Sequence, residues 1–221
     1  WSSSCRIGIF RAGALDATFG SAGALRITPD GPPVDAPPSV AFSPDGRVAV
    51  GVEQGLTSSV MELDGEGNVL SSAASPVVPV ALAWDGDALF VASPTEIDHV
   101  DASGTTSVTA PFTLGALRSD GPGAVLAFGV SPLGVARCVA SSGALVLDAS
   151  YGDAGIATLP NANDVTTLDP SIDVDAAGRA WVGLVTPDVA RLLPDGSLDP
   201  AWGVSGVASF LHADDVYPTF V

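Results

Sequence analysis

A nine-residue pattern, Leu-Asp-x-x-aromatic-Gly-x-x-Gly, occurs three times in this chain, at residues 15–23, 147–155 and 198–206. Its aromatic position is Phe19, Tyr151 and Trp202 in turn. Each copy runs into a short apolar segment, at 24–27, 156–159 and 207–211. A chain that reuses a motif of this length builds one small structural unit several times. Such a unit cannot bury its apolar face alone and must stack on its neighbours.

Two other elements recur between the copies. Turn glycines stand at Gly13, Gly67, Gly104, Gly143 and Gly196, each preceded four residues earlier by an apolar side chain: Ile9, Leu63, Val100, Val139 and Leu192. Short apolar runs also flank two-residue turns at Asp45-Gly46, Asp85-Gly86, Asp120-Gly121 and Ala177-Gly178. Asp-Gly between apolar runs is a hairpin signal, and a type I′ turn is expected. Each repeat then holds about four short strands in roughly 37–54 residues, the size of one propeller blade.

The expected fold is therefore all-β, a β-propeller of four-stranded antiparallel blades with four complete blades and a partial or shared fifth. Cutting at the turn glycines puts the blades at 14–67, 68–104, 105–143 and 144–196, with the partial blade made from 197–221 and 1–13. The nine-residue corner is expected to cross from the outer strand of one blade to the inner strand of the next, its aromatic filling the gap between sheets. Residues 68–110 lack the corner, which leaves the limits of the second blade open. The chain starts at Trp1 without an initiator Met and stops in mid-repeat, so either the fifth blade is defective or, as expected, the sequence is a segment of a longer bacterial protein, and a removed signal peptide would suit an extracellular or cell-surface setting.

Composition supports a turn-rich protein. Gly 25 and Pro 18 in 221 residues argue against long helices. The formal net charge of −17 repels phosphate backbones, so nucleic acid is not expected as a partner. No apolar run reaches the ~18 residues of a membrane span, and membrane insertion is not expected. Two cysteines, Cys5 and Cys138, are far apart in sequence, and their pairing is left open.

The stretch Ala190-Arg191-Leu192-Leu193-Pro194-Asp195-Gly196-Ser197-Leu198-Asp199, together with the aromatic-glycine corner, resembles the bacterial delta-60 repeat β-propeller family. Ser43-Pro44-Asp45-Gly46-Arg47-Val48 is similar to that family's mid-repeat hairpin. The resemblance implies a propeller and brings no catalytic residues with it.

Candidate chemistry is sparse. His99 and His212 lie in different repeats without metal-spaced partners, and a satisfied structural or a surface role is expected of them. No Gly-x-Ser-x-Gly elbow and no phosphate loop is present. Asp64, Glu66 and Asn68 place oxygens at alternate positions, as calcium loops do, and Asp173 and Asp175 do so less well. Asp35, Asp164, Asp169, Asp214 and Asp215 are candidates for carboxylates at the propeller axis. Trp84 and Trp181 fall outside the corner motif and are candidates for stacking on a ligand.

The reading these features support is a non-enzymatic scaffold or binding module for a protein or carbohydrate, without a cofactor. The alternative is a metal-dependent, lactonase-like hydrolase or lyase with a divalent cation, such as Ca2+, on the axis. A carbohydrate site in every blade is disfavoured, because Trp84 and Trp181 do not recur.

Overall fold

The computed structural model describes residues 5–11, 14–27, 38–54, 57–75, 78–160, 171–184 and 188–209. These residues are strands and tight turns. The first unit pairs β1 (Cys5–Gly8) with β4 (Ala24–Ile27) and β2 (Phe10–Arg11) with β3 (Ala14–Leu15). Blade A follows as β5 (Ser39–Phe42), β6 (Val48–Gln54), β7 (Thr57–Leu63) and β8 (Val69–Ser75). Blade B is β9 (Ala81–Asp85), β10 (Ala88–Ala92), β11 (Glu96–Asp101) and β12 (Gly104–Thr109).

Blade C is β13 (Thr113–Ser119), β14 (Ala124–Val130), β15 (Gly134–Ser141) and β16 (Ala144–Leu147), with β17 (Ile156–Thr158) also paired to β15. Blade D is β18 (Ser171–Val174), β19 (Ala180–Gly183), β20 (Asp188–Leu192) and β21 (Val207–Ser209). The strands pair antiparallel, between neighbours in sequence except for β1 with β4 and β15 with β17. The first strands β5, β9, β13 and β18 lie side by side in chain order, which gives the sheets their radial arrangement. This is a multi-blade β-propeller.

The sheets are offset from the repeat units drawn at the turn glycines. Gly67, Gly104, Gly143 and Gly196 lie in the turn between the third and fourth strands of one sheet, and the chain passes between sheets one strand later. The corner also behaves differently from its expected crossing role. It is an excursion within the outer strand, and the chain returns to the blade it left.

Backbone pairing explains that return. β15 has eight residues, and β16 covers only Cys138–Ser141 of it. After the corner, β17 pairs with Gly134, Val135 and Ala136, satisfying the rest of the strand. β4 does the same on β1, and β21 on β20.

The Asp-Gly hairpins form, but not as type I′ turns. At Asp45-Gly46 only the glycine has positive φ, and the Gly46 N–H donates to the Ser43 carbonyl. That is a type I turn closed by a left-handed glycine. The same bonding recurs at Gly67, Gly178 and Gly196.

Between the sheets lie four separate apolar clusters, one per seam. Phe19, Ile27, Val48 and Leu63 join the first unit to blade A. Ala41, Leu82, Trp84 and Leu89 join A to B. Phe90, Ile97, Leu117 and Val125 join B to C, and Leu126, Tyr151, Val182 and Leu192 join C to D. Sheets covered on both faces need continuous apolar strands, and β10 is buried along its whole length.

Cys138 is a free thiol in the B–C seam. Burial pushes its thiol up to about 12. A thiolate is the reactive form. N-ethylmaleimide at pH 8 is therefore expected to leave Cys138 unmodified in the native protein and to label it on denaturation, as read by peptide mass mapping. Comparable labelling in both states would show that the seam opens.

Candidate functional site

The corner fixes how blades meet. In each copy, the aromatic N–H donates to the carbonyl of the aspartate three residues earlier, at 2.9–3.0 Å. The last glycine then donates to the aromatic residue's carbonyl. Three of the four final positions have positive φ: Gly20, Ala22 and Gly23; Gly152, Ala154 and Gly155; Gly203, Ser205 and Gly206. This run of left-handed residues is why the pattern holds two glycines and a small residue.

The aspartate anchors the corner. Asp148 accepts the Ser150 hydroxyl at 2.6 Å and the Ser150 N–H at 3.0 Å, and the Arg137 guanidinium reaches it at 2.5 Å. The Ser150 hydroxyl first, and Arg137 after it, hold its carboxyl below the usual range. Arg137 also binds Asp120 at 2.7 Å, tying the corner to the first hairpin of blade C. In blade D, Arg191 binds Asp199 at 2.7 Å and lies over the rings of Trp181 and Trp202.

Each docked corner seals a seam. Gly20 donates its N–H to the Glu66 carbonyl of blade A, and Gly152 does the same to Asp195 of blade D, at 2.6 and 2.7 Å. Phe19 and Tyr151 are buried against the turn glycines Gly67 and Gly196. Blades A and B carry no corner, and their outer strands run without this plug.

Two concave regions follow from this frame. The first is at the axis, where a cavity of about 390 Å3 opens among the first strands of four blades. Val40 and Phe42 from β5, Leu82 from β9, Leu117 and Arg118 from β13, and Ile172 from β18 line it. Phe42 is 60% exposed and Val40 37%. Arg118 pairs with Asp173 at 2.8 Å, linking blades C and D beside the opening. The second is a rim cavity of about 490 Å3 in the A–B seam.

The residues singled out in the sequence fall in different places. Trp84 is buried in the A–B seam, its indole N–H donating to the Ala41 carbonyl at 3.2 Å. The Arg47 guanidinium, itself bound to Asp45 and Asp87, lies 4.6 Å from its ring. Trp181 meets Trp202 edge to face at 4.7 Å and donates to Asp175. Neither indole therefore stands as a bare stacking platform.

Asp64 accepts the N–H groups of Glu66 and Asn68 and the Asn68 side-chain amide, which chiefly holds its carboxyl below the usual range. Asp175 is held in the same way by Arg179, and Asp173 pairs with Arg118. Asp64, Glu66 and Asn68 thus form an ordinary repeat turn that already uses the Asp64 oxygens. Asp35, Asp164, Asp169, Asp214, Asp215 and His212 lie outside the described residues.

His99 departs from the satisfied role expected of it. It is buried on β11, tilted against Phe90 at 4.6 Å. Its Nε2 lies 3.4 Å from Asp85 Oδ2, near enough for attraction, but it makes no hydrogen bond. Asp85 instead accepts the Gly123 N–H at 2.8 Å, linking blades B and C. No cluster of three metal-binding side chains occurs among the described residues. No described helix is long and apolar enough to cross a membrane.

Comparison with known proteins agrees with this class of fold. No family model matches the chain, and no curated protein does. Among solved structures, virginiamycin B lyase from Staphylococcus aureus is similar at TM-score 0.55 and 13% identity, over 96% of this chain and 61% of that one. A catalytically inactive form of that lyase with quinupristin gives 0.53 and 15%, over 79% and 58%. BamB from Moraxella catarrhalis gives 0.52 and 15%, over 87% and 48%. The chain thus spans less than two thirds of each of these proteins, and the likeness shows the propeller fold.

Proposed function

We propose that the protein is a non-enzymatic propeller scaffold that binds a partner protein through its axial opening. The observation that carries this reading is Phe42, 60% exposed beside half-open Val40 at a concave site where four blades converge. A large aromatic held in water beside other apolar groups marks an interaction surface. The polar groups nearby support the same reading. Arg118 and Asp173 bind each other, and the hairpin acids are held in their own turns. Repeated corner chemistry further favours membership of the delta-60 repeat propellers, and an acidic, turn-rich surface suits an extracellular or cell-surface setting.

Phe42→Asp tests the site, using Nile red as a neutral apolar probe. Wild type is expected to give saturable, blue-shifted emission, and the variant to lose most of it while its circular dichroism stays unchanged. Equal emission from both would show that the axial opening does not hold the probe. Calorimetry with calcium separates the alternative axial-metal enzyme, because stoichiometric binding at micromolar affinity would overturn the scaffold reading.

A further inference from the structure

The A–B seam lacks the corner aromatic that plugs two other seams; Trp84 fills part of it, and the space left is of ligand size. In the repeat, Val100 holds the position of Leu63 and Leu192, four residues before the turn glycine. Leu63 and Leu192 are fully buried at the seams that Phe19 and Tyr151 close, whereas Val100 is 38% exposed. The turn glycines show the same contrast. A Cβ at Gly67 or Gly196 would press on Phe19 or Tyr151, whereas one at Gly104 would meet nothing within 4 Å. The cause is local: β8 of blade A runs as one uninterrupted outer strand, with small residues Ala73 and Ala74 at the cavity wall.

The cavity of about 490 Å3 lies within the ~300–1,000 Å3 usual for small-molecule sites. Val60, Leu89 and Val91 provide apolar surface. Glu62, Glu96 and Asp98 line it as well, and none of these carboxylates has a basic partner among the described residues. Asp98 accepts the Ser107 hydroxyl at 2.6 Å. An occupant of this space must bring an apolar, flat body to the place of the missing aromatic and a positive charge to the carboxylates.

We propose that the A–B seam is a binding site for a small aromatic ammonium compound, separate from the axial opening. The ring would cover Val100 as Phe19 and Tyr151 cover their leucines, and the ammonium group would lie at Glu62, Glu96 and Asp98.

Tryptamine is a suitable probe, followed by calorimetry and by the carbon–proton NMR shifts of the Val60, Leu89 and Val100 methyl groups. Saturable binding is expected, with shifts confined to those methyls. The double variant Glu62→Gln, Glu96→Gln should bind roughly 3- to 10-fold more weakly, as expected for two half-exposed ion pairs. Val100→Trp should fill the space from within, abolish binding and leave the melting temperature unchanged or higher. Indole-3-acetate, with the same ring and the opposite charge, should not bind. Absence of saturable tryptamine binding to wild type, or binding to Val100→Trp as tight as to wild type, would overturn the proposal. Both variants leave Phe42 untouched, so loss of this site and loss of the axial site are read independently.

Discussion

Tyr151→Ala is expected to destabilise the protein by about 3–5 kcal/mol, whereas Tyr151→Phe is expected to be neutral or to stabilise it by ~1 kcal/mol. The ring is 2% exposed and sits between blades C and D, among Leu126, Val135, Ala157 and Leu192. Its removal leaves a void lined by two sheets that cannot both relax into it, because each is held by its own ladder. The hydroxyl contributes differently. It is buried without a hydrogen-bond partner, and burial raises its pKa. The equivalent ring, Phe19, fills its seam without a hydroxyl and is fully buried. At ~2–4 °C per kcal/mol for a chain of this size, the alanine variant should melt roughly 10 °C below wild type. Thermal melts of both variants check this. Equal loss in the two would show that the phenol oxygen, and not the ring, closes the seam.

The ring's role was readable from the sequence, and its path was not. Three copies of one pattern identify a repeated unit, and the aromatic ahead of the glycines identifies a plug, which Phe19 and Tyr151 form. What the pattern cannot show is which strand the chain rejoins after Gly155. That depends on β15 being longer than β16, so that four residues of β15 remain beyond it, three of which pair with β17. Strand length is set by the facing partner and leaves little mark on local sequence. The blade limits slipped for a related reason. The turn glycine and the break between sheets are both loops, and only the pairing separates them.

The site residues divide in the same way. Asp64, Glu66 and Asn68 match a calcium loop because a left-handed hairpin turn and a cation loop both call for alternating oxygens. In the structure the Asp64 carboxylate is hydrogen-bonded within its own turn. Trp84 and Trp181 attract notice as rare residues, yet seams and ion pairs need large side chains as much as ligands do. Phe42 looks like one more apolar residue of a strand, and Val100 stands out only as one of five apolar residues placed before the turn glycines. Val100 was nonetheless recognisable in principle, because the segment before its repeat lacks the corner that covers its counterparts.

Gly152→Ala and Gly46→Ala form the second large contrast. Both glycines have positive φ, 54° and 93°, so both substitutions carry the left-handed penalty of about 1–2 kcal/mol. Gly46 faces open space, and its alanine variant should lose no more than that penalty. A Cβ at Gly152 would stand 2.2 Å from the Ile156 carbonyl oxygen, which is backbone and cannot swing aside. The corner must then move, and the 2.7 Å bond from Gly152 to the Asp195 carbonyl moves with it. That loosens the C–D seam as well as the turn, and a total loss of ~3–4 kcal/mol is expected. The same collision recurs at Gly20 with Ala24 and at Gly203 with Val207, so it belongs to the motif and not to one copy. Urea unfolding of the two variants measures the difference. If they lose equal stability, the corner tolerates displacement and the tie between blades C and D lies elsewhere. If Gly152→Ala loses the larger amount, amide exchange at Gly196 and its neighbours should quicken together with that at residue 152, because the two turns are held by one hydrogen bond.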